Sequence, residues 1–116
     1  GVLLTGELGT SIKEQSLVIN KPDGAVVITG CSHPGIVHIL EIARSITGND
    51  IQLAFGGFHL LRHSDQEMDN VIAELKELGV QNIGATHCTG DRQIEIIKEN
   101  FKDSFVQLGT GRVLEF

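Results

Sequence analysis

Histidine and cysteine side chains stand at three places in this chain where a short apolar run breaks at glycine. The three stretches are ITGCSHPG at 28–35, AFGGFHL at 54–60 and GATHCTG at 84–90. They contain three of the five histidines and both cysteines. Imidazole nitrogen and thiolate sulfur are common ligands of zinc, and imidazole also binds iron and nickel. Metal binding is therefore the first chemistry that these residues indicate.

The three stretches have the character of strand ends. Each begins with small or β-branched apolar residues, the composition of a buried strand, and the first and third lead directly into a helical pattern. Strands that alternate with helices of ~12 residues predict parallel pairing with right-handed crossovers. Ligands of such sheets bind beyond the carboxyl ends of the strands. We therefore expect imidazoles from separate crossover units to meet at one edge of the sheet.

The full pattern predicts the order β, ββ, α, β, α, β, α, ββ. Lys21-Pro22-Asp23-Gly24 suits a type I turn and predicts an antiparallel hairpin. Pro34 fits the first turn of a helix, and Ser64 with Glu67 forms a capping box. The predicted strands are 2–5, 16–20, 25–29, 51–55 and 80–85. The predicted helices start at Pro34, after Ser64 and after Thr89 or Asp91. A second hairpin is predicted to join 105–108 to 112–116 around Gly109-Thr110-Gly111.

Composition restricts the class of protein. The 116 residues form a single domain, 1–116, with a net charge of −6 and no basic cluster, which disfavours nucleic acid and anionic membranes as partners. No apolar run approaches the ~20 residues of a membrane span. Two cysteines without an export signal predict a cytoplasmic protein. Because a strand pattern starts directly after Gly1, we expect the chain to be a piece of a longer protein.

Not every candidate side chain needs a functional role. His33 could cap a helix, His59 could be an ordinary loop histidine, and Cys31 is as well explained by an inert buried thiol as by a functional one. His87 has the strongest case, because it ends a strand of small residues. His38 falls on the polar face of a helix, and His63 has no companion unless it pairs with His59; both are expected outside the site.

Three segments together resemble a known family. SLVINKPDGAVVITGCSHPGIVHILEIA, FGGFHL and ATHCTG are similar to the C-terminal half of a metallo-β-lactamase-fold hydrolase, in the branch related to 7,8-dihydropterin-6-methyl-4-(β-D-ribofuranosyl)-aminobenzene-5′-phosphate synthase. The resemblance implies half of an αββα sandwich, with a sheet and flanking helices. Together with the predicted elements, it leads us to expect an α/β fold with a mixed sheet and a terminal hairpin. It also implies a metal pair at one edge, between the two sheets.

The resemblance implies a role for each candidate residue. His87 matches the last ligand histidine of the family. Cys31 stands where the family has a metal-bridging acidic residue, and His33 follows two positions later, so either could face the metal, with His33 favoured. The metal candidates are thus His33, His87 and Cys31. The residues expected to contact substrate or support the ligands are His59, Ser32 and Cys88.

The implied activity is that of a metal-dependent hydrolase acting on a small-molecule substrate. A divalent metal, zinc with iron or manganese as alternatives, would activate water for attack on an ester-like or phosphoester bond. The family motif H-x-H-x-D-H is absent from these 116 residues. We therefore expect weak metal binding, no activity from this part alone, and an apolar sheet face covered by an N-terminal half or a second copy.

Two other classes of function are compatible with the same residues. A non-enzymatic α/β module could hold an anion or small molecule at the helix N-termini that follow 31–33 and 88–90. Alternatively, Cys31 could act as a nucleophile with a histidine base, which requires a thiol of low pKa.

Overall fold

The strands of the computed structural model form one mixed five-stranded sheet, ordered as in the chain. The structure describes residues 1–116 apart from the side chain of His87. The first three strands pair antiparallel, and the third, fourth and fifth pair parallel. The predicted mixed α/β sheet is confirmed. The strands are β1 Val2–Leu4, β2 Leu17–Lys21, β3 Gly24–Ile28, β4 Ile51–Gly57 and β5 Asn82–Thr86.

Three α-helices cover one face of the sheet. They are α1 Ile36–Thr47, α2 Asp65–Glu77 and α3 Asp91–Phe101, and two 3₁₀ turns lie at His87–Thr89 and Lys102–Ser104. One continuous apolar cluster joins their inner faces to side chains of β2 to β5. The helices therefore close one side of the sheet.

Of the helices described, none has the length and apolar character required to cross a bilayer.

The local signals in the sequence predict most ends of the strands and helices to within two residues. Ser64 accepts a hydrogen bond from the Glu67 N–H at 3.1 Å, as the capping box predicts. The predicted helix start at Pro34 is wrong by two residues. Gly35 has φ +101° and its N–H bonds to the Ser32 carbonyl at 2.9 Å, so Pro34 lies in a turn before α1. The N-cap of α3 is Gly90, without a side-chain cap.

The predicted C-terminal hairpin is wrong. A turn does form, since the Arg112 N–H bonds to the Gly109 carbonyl at 3.0 Å, but the segments on either side of it form no ladder in the chain as described. Phe105 instead makes an isolated parallel bridge to Ile83. The tail after Phe105 runs over the sheet, where its apolar side chains lie against strand residues. Leu108 lies against Gly84, and Leu114 lines cavities with Leu53 and Phe55.

The sheet face opposite the helices is also apolar. Directly paired residues share a face, so the strand registers place two apolar rows on this side, which we call the far face. Val2 and Leu4 at its β1 end are 67% and 54% exposed, whereas Leu53 on β4 is buried beneath the tail. The rows are Val2, Ile19, Val26 and Leu53, and Leu4, Leu17, Ile28 and Phe55.

Candidate functional site

Two of the predicted imidazoles meet beyond the carboxyl ends of neighbouring parallel strands. His33 follows β3 and His59 follows β4, and their ring centroids lie 4.2 Å apart with the rings tilted by 46°. His59 has a left-handed backbone, φ +47°, and an exposed side chain. Ser32, just before His33, is also left-handed at φ +65°. The chain thus adopts uncommon backbone conformations on both strand ends where the two rings come together.

Glu14, which no motif in the sequence indicates, contacts His33. The carboxylate accepts hydrogen bonds from the N–H groups of Ser32 at 2.9 Å and His33 at 3.3 Å, and it also contacts Nδ1 of the His33 ring. The Glu14 and His33 side chains are only 17% and 26% exposed. Burial acts to raise the pKa of Glu14, but the hydrogen bonds from His33 and Ser32 outweigh it and lower that pKa below its ordinary value.

The lowered pKa of Glu14 gives stability a defined pH dependence. A carboxyl group whose pKa is lower in the folded state stabilises fully above its unfolded value of 4.5, and this contribution is lost as the pH falls through the folded pKa. We therefore expect the difference in free energy of unfolding between the wild type and Glu14→Gln to shrink as the pH falls below 4.5. Denaturant unfolding of the metal-free protein at several pH values measures it. A difference that stays constant contradicts the expectation.

Ser32 and Thr29 fasten the end of β3 to the end of β4. The buried Ser32 hydroxyl donates to the Gly57 carbonyl at 2.6 Å, and the Thr29 hydroxyl donates to the same oxygen at 3.1 Å. In return, the Gly57 N–H donates to the Gly30 carbonyl at 2.9 Å. These bonds fix the separation of the two strand ends. Ser32 therefore has a structural role, supporting the backbone next to His33.

The two cysteines lie against each other beside this junction. The Cys88 thiol donates to the Cys31 carbonyl at 3.3 Å, and both thiols are free. A hydrogen bond with Cys88, with burial, raises the pKa of the Cys31 thiol. A nucleophilic cysteine at neutral pH needs the opposite shift. The interpretation of Cys31 as a nucleophile is therefore disfavoured, and Cys31 is a partly buried thiol next to the histidine pair.

The remaining histidines divide into three cases. The prediction for the His87 side chain lies outside the described part of the structure. His38 is exposed on α1. His63 is partly buried and lines, with His33 and His59, a cavity of about 220 Å³ whose floor includes Phe58. His63 was expected outside the site unless it paired with His59, and the structure places it in the cavity that His59 lines.

The donor chemistry of the edge fits a divalent metal in part. Imidazole suits zinc, iron and related ions, and a carboxylate on one ring nitrogen is the usual arrangement for a ligand histidine. However, among the side chains that the structure describes, no group of three or more His, Cys, Asp or Glu is arranged to hold an ion. His33, which contacts Glu14, therefore fits as part of a ligand set, not as a complete one.

A solved structure has the same fold over most of this chain. It is that of Tm1679, a metal-dependent hydrolase of the β-lactamase superfamily, which aligns with 90% of the chain at 40% identity and a TM-score of 0.83. The predicted α/β class, a mixed sheet with flanking helices, is thereby confirmed. No protein-family model matches the chain.

Two proteins of Methanocaldococcus jannaschii are similar in sequence. The 7,8-dihydropterin-6-methyl-4-(β-D-ribofuranosyl)-aminobenzene-5′-phosphate synthase is 36% identical over 104 residues, 89% of the chain, and the chain is homologous to it. The uncharacterized protein MJ0448 is 29% identical over 89 residues, 77% of the chain. The chain spans 35% and 33% of the length of these proteins and 41% of the Tm1679 chain.

Proposed function

We propose that this chain is the C-terminal part of a metal-dependent hydrolase of the β-lactamase superfamily, and that its sheet edge supplies ligands to a divalent metal. The observation that carries the proposal is the pairing of His33 with His59 at the ends of adjacent parallel strands, with His33 held by Glu14. Its support is the 40% identity to a metal-dependent hydrolase across the same fold. His33 and His87 are the proposed ligands, and Cys31 is the third candidate.

The residues of this chain would bind the metal ion and orient the substrate or bound water. His33 would offer Nε2 to the ion, because Nδ1 faces the Glu14 carboxylate. His59, exposed and 4.2 Å away from ring to ring, would contact substrate or bound water. Ser32 and Cys88 would hold the strand ends in place. A bound divalent ion, zinc first and iron or manganese as alternatives, would polarise an ester-like or phosphoester bond and lower the pKa of a water molecule.

The proposed substrate is a small molecule related to pterins. This rests on the name of the homologous synthase and on no contact in the chain itself. The proposed location is the cytoplasm, because neither cysteine forms a disulfide.

The proposed partner is the part of the longer protein that precedes this segment. The far face supports this, since Val2 and Leu4 expose apolar side chains on an edge strand. Covering by a second copy of the chain is the alternative. Solvent protection of Val2 and Leu4 in a monomeric longer protein that contains this segment would favour covering by the preceding part over covering by a second copy.

An anion-binding module is less well supported. The backbone amides of Ser32 and His33, in the stretch before α1, already donate to the Glu14 carboxylate. An anion would have to displace Glu14 from this position.

Zinc titration tests the proposal. We expect the protein to bind Zn²⁺ and the His33→Ala variant to bind it at least ~10-fold more weakly, because one proposed ligand is lost. His87→Ala should weaken binding in the same way. Isothermal calorimetry, or the visible spectrum with Co²⁺ in place of zinc, measures the change.

The matched control is His38→Ala, which removes an exposed imidazole on α1. It should leave zinc affinity unchanged. Equal affinities for the wild type, His33→Ala and His87→Ala would overturn the proposal. Phosphate binding that survives both substitutions would favour the anion-binding module instead.

A further inference from the structure

Glu14 reaches the sheet edge from a loop far from it in sequence. It lies 18 and 19 residues before Ser32 and His33, in the segment between β1 and β2. This segment folds back on itself, since Leu8 and Glu14 exchange backbone hydrogen bonds of 2.7 and 2.9 Å in an isolated antiparallel bridge. The backbone that carries the carboxylate is therefore held by hydrogen bonds of its own, in addition to the side-chain contacts.

The carboxylate is oriented at both oxygens. Oε2 accepts the Ser32 N–H and Oε1 accepts the His33 N–H, while Oε1 also contacts Nδ1 of the His33 ring. By comparison, the nearby pair of Glu7 and Lys13 joins two side chains that are 68% and 57% exposed. Exposed pairs of this kind contribute little to stability. The Glu14 contacts, in contrast, are partly buried and involve both carboxylate oxygens.

We propose that Glu14 is the positioning residue that fixes the ring orientation and tautomer of His33. An ionised carboxylate only accepts hydrogen bonds, so Nδ1 facing it carries the proton. In the neutral ring the lone pair is then on Nε2, the nitrogen turned away from Glu14. The consequence for function rests on the metal-site proposal above: Glu14 selects the one form of His33 in which Nε2 can bind an ion or accept a proton. Glu14 itself contacts Nδ1 and not Nε2, the nitrogen that would bind the ion.

The test is ¹⁵N NMR of the histidine rings in metal-free protein, at about pH 8, above the ordinary histidine pKa of ~6.5. We expect wild-type His33 to show a protonated Nδ1 and an unprotonated Nε2. Glu14→Gln keeps the size of the side chain and removes its charge, so His33 should lose this tautomer preference. Glu7→Gln, in the same loop, should leave the His33 signals unchanged.

A second measurement connects the tautomer to metal binding. Substituting a carboxylate that holds a ligand histidine weakens metal affinity by ~10–100-fold, and we expect this loss for Zn²⁺ in Glu14→Gln but not in Glu7→Gln. A protonated Nε2 on wild-type His33, or identical His33 spectra in the wild type and Glu14→Gln, overturns the positioning role. If the tautomer changes as expected but the wild type binds no zinc, the positioning role stands and the proposed metal function fails.

Discussion

Replacing Gly57 with alanine should lower the free energy of unfolding by about 1–3 kcal/mol and disturb the candidate site. An added Cβ would lie 2.7 Å from the Gly30 carbonyl oxygen and 3.0 Å from the Cys88 sulfur. The first of these is a backbone atom of the adjacent strand end, so relief requires the ends of β3 and β4 to separate. That separation would strain the hydrogen bonds from Ser32 and Thr29 to the Gly57 carbonyl.

The matched control is Gly30→Ala, because a Cβ on Gly30 meets no atom within 4 Å. We expect it to change the free energy of unfolding by no more than about 0.5 kcal/mol, as for substitutions away from packed features. Urea unfolding of both variants gives the comparison. If Gly57→Ala and Gly30→Ala have equal stability, the strand ends are not packed as closely as these distances indicate.

The meeting of His33 and His59 could be anticipated from the sequence because it follows from topology. Apolar runs that alternate with helical periods require parallel strands, and the carboxyl ends of parallel strands lie on one edge. The hairpin at Lys21 to Gly24 and the cap at Ser64 were equally accessible, since each depends on residues close in the chain. Contacts of this kind are encoded locally or by the general rules of sheets.

Glu14 could not be anticipated in this way. Its loop has no periodic pattern, and the hydrogen bonds that define its role join residues 18 and 19 positions apart. The prediction of a C-terminal hairpin was wrong for a related reason. Gly109 to Gly111 correctly predicts a turn, but the partner of each flanking segment is decided by which apolar surface it can cover. Leu108 packs at Gly84 on the far face instead of pairing with the end of the chain.

Phe58 lies in the core and directly precedes His59. Because its ring is buried, removing it should destabilise the protein more than substituting Gly57. Its side chain is 1% exposed and its N–H donates to the Thr89 hydroxyl at 3.0 Å. Phe58→Ala should reduce the free energy of unfolding by about 3–5 kcal/mol, the range for a fully buried phenylalanine. The ring also forms part of the floor of the cavity that His33 and His59 line. Its loss should therefore weaken zinc binding as well.

The control for Phe58 is Phe116→Ala, which removes a ring that is 45% exposed on the C-terminal tail. Because that ring loses little buried area, we expect its removal to destabilise by less than about 1 kcal/mol and to leave zinc affinity unchanged. Thermal and urea unfolding, followed by zinc titration at a temperature where both variants are folded, separates the two effects. If folded Phe58→Ala bound zinc as tightly as the wild type, the zinc site would not depend on the Phe58 ring.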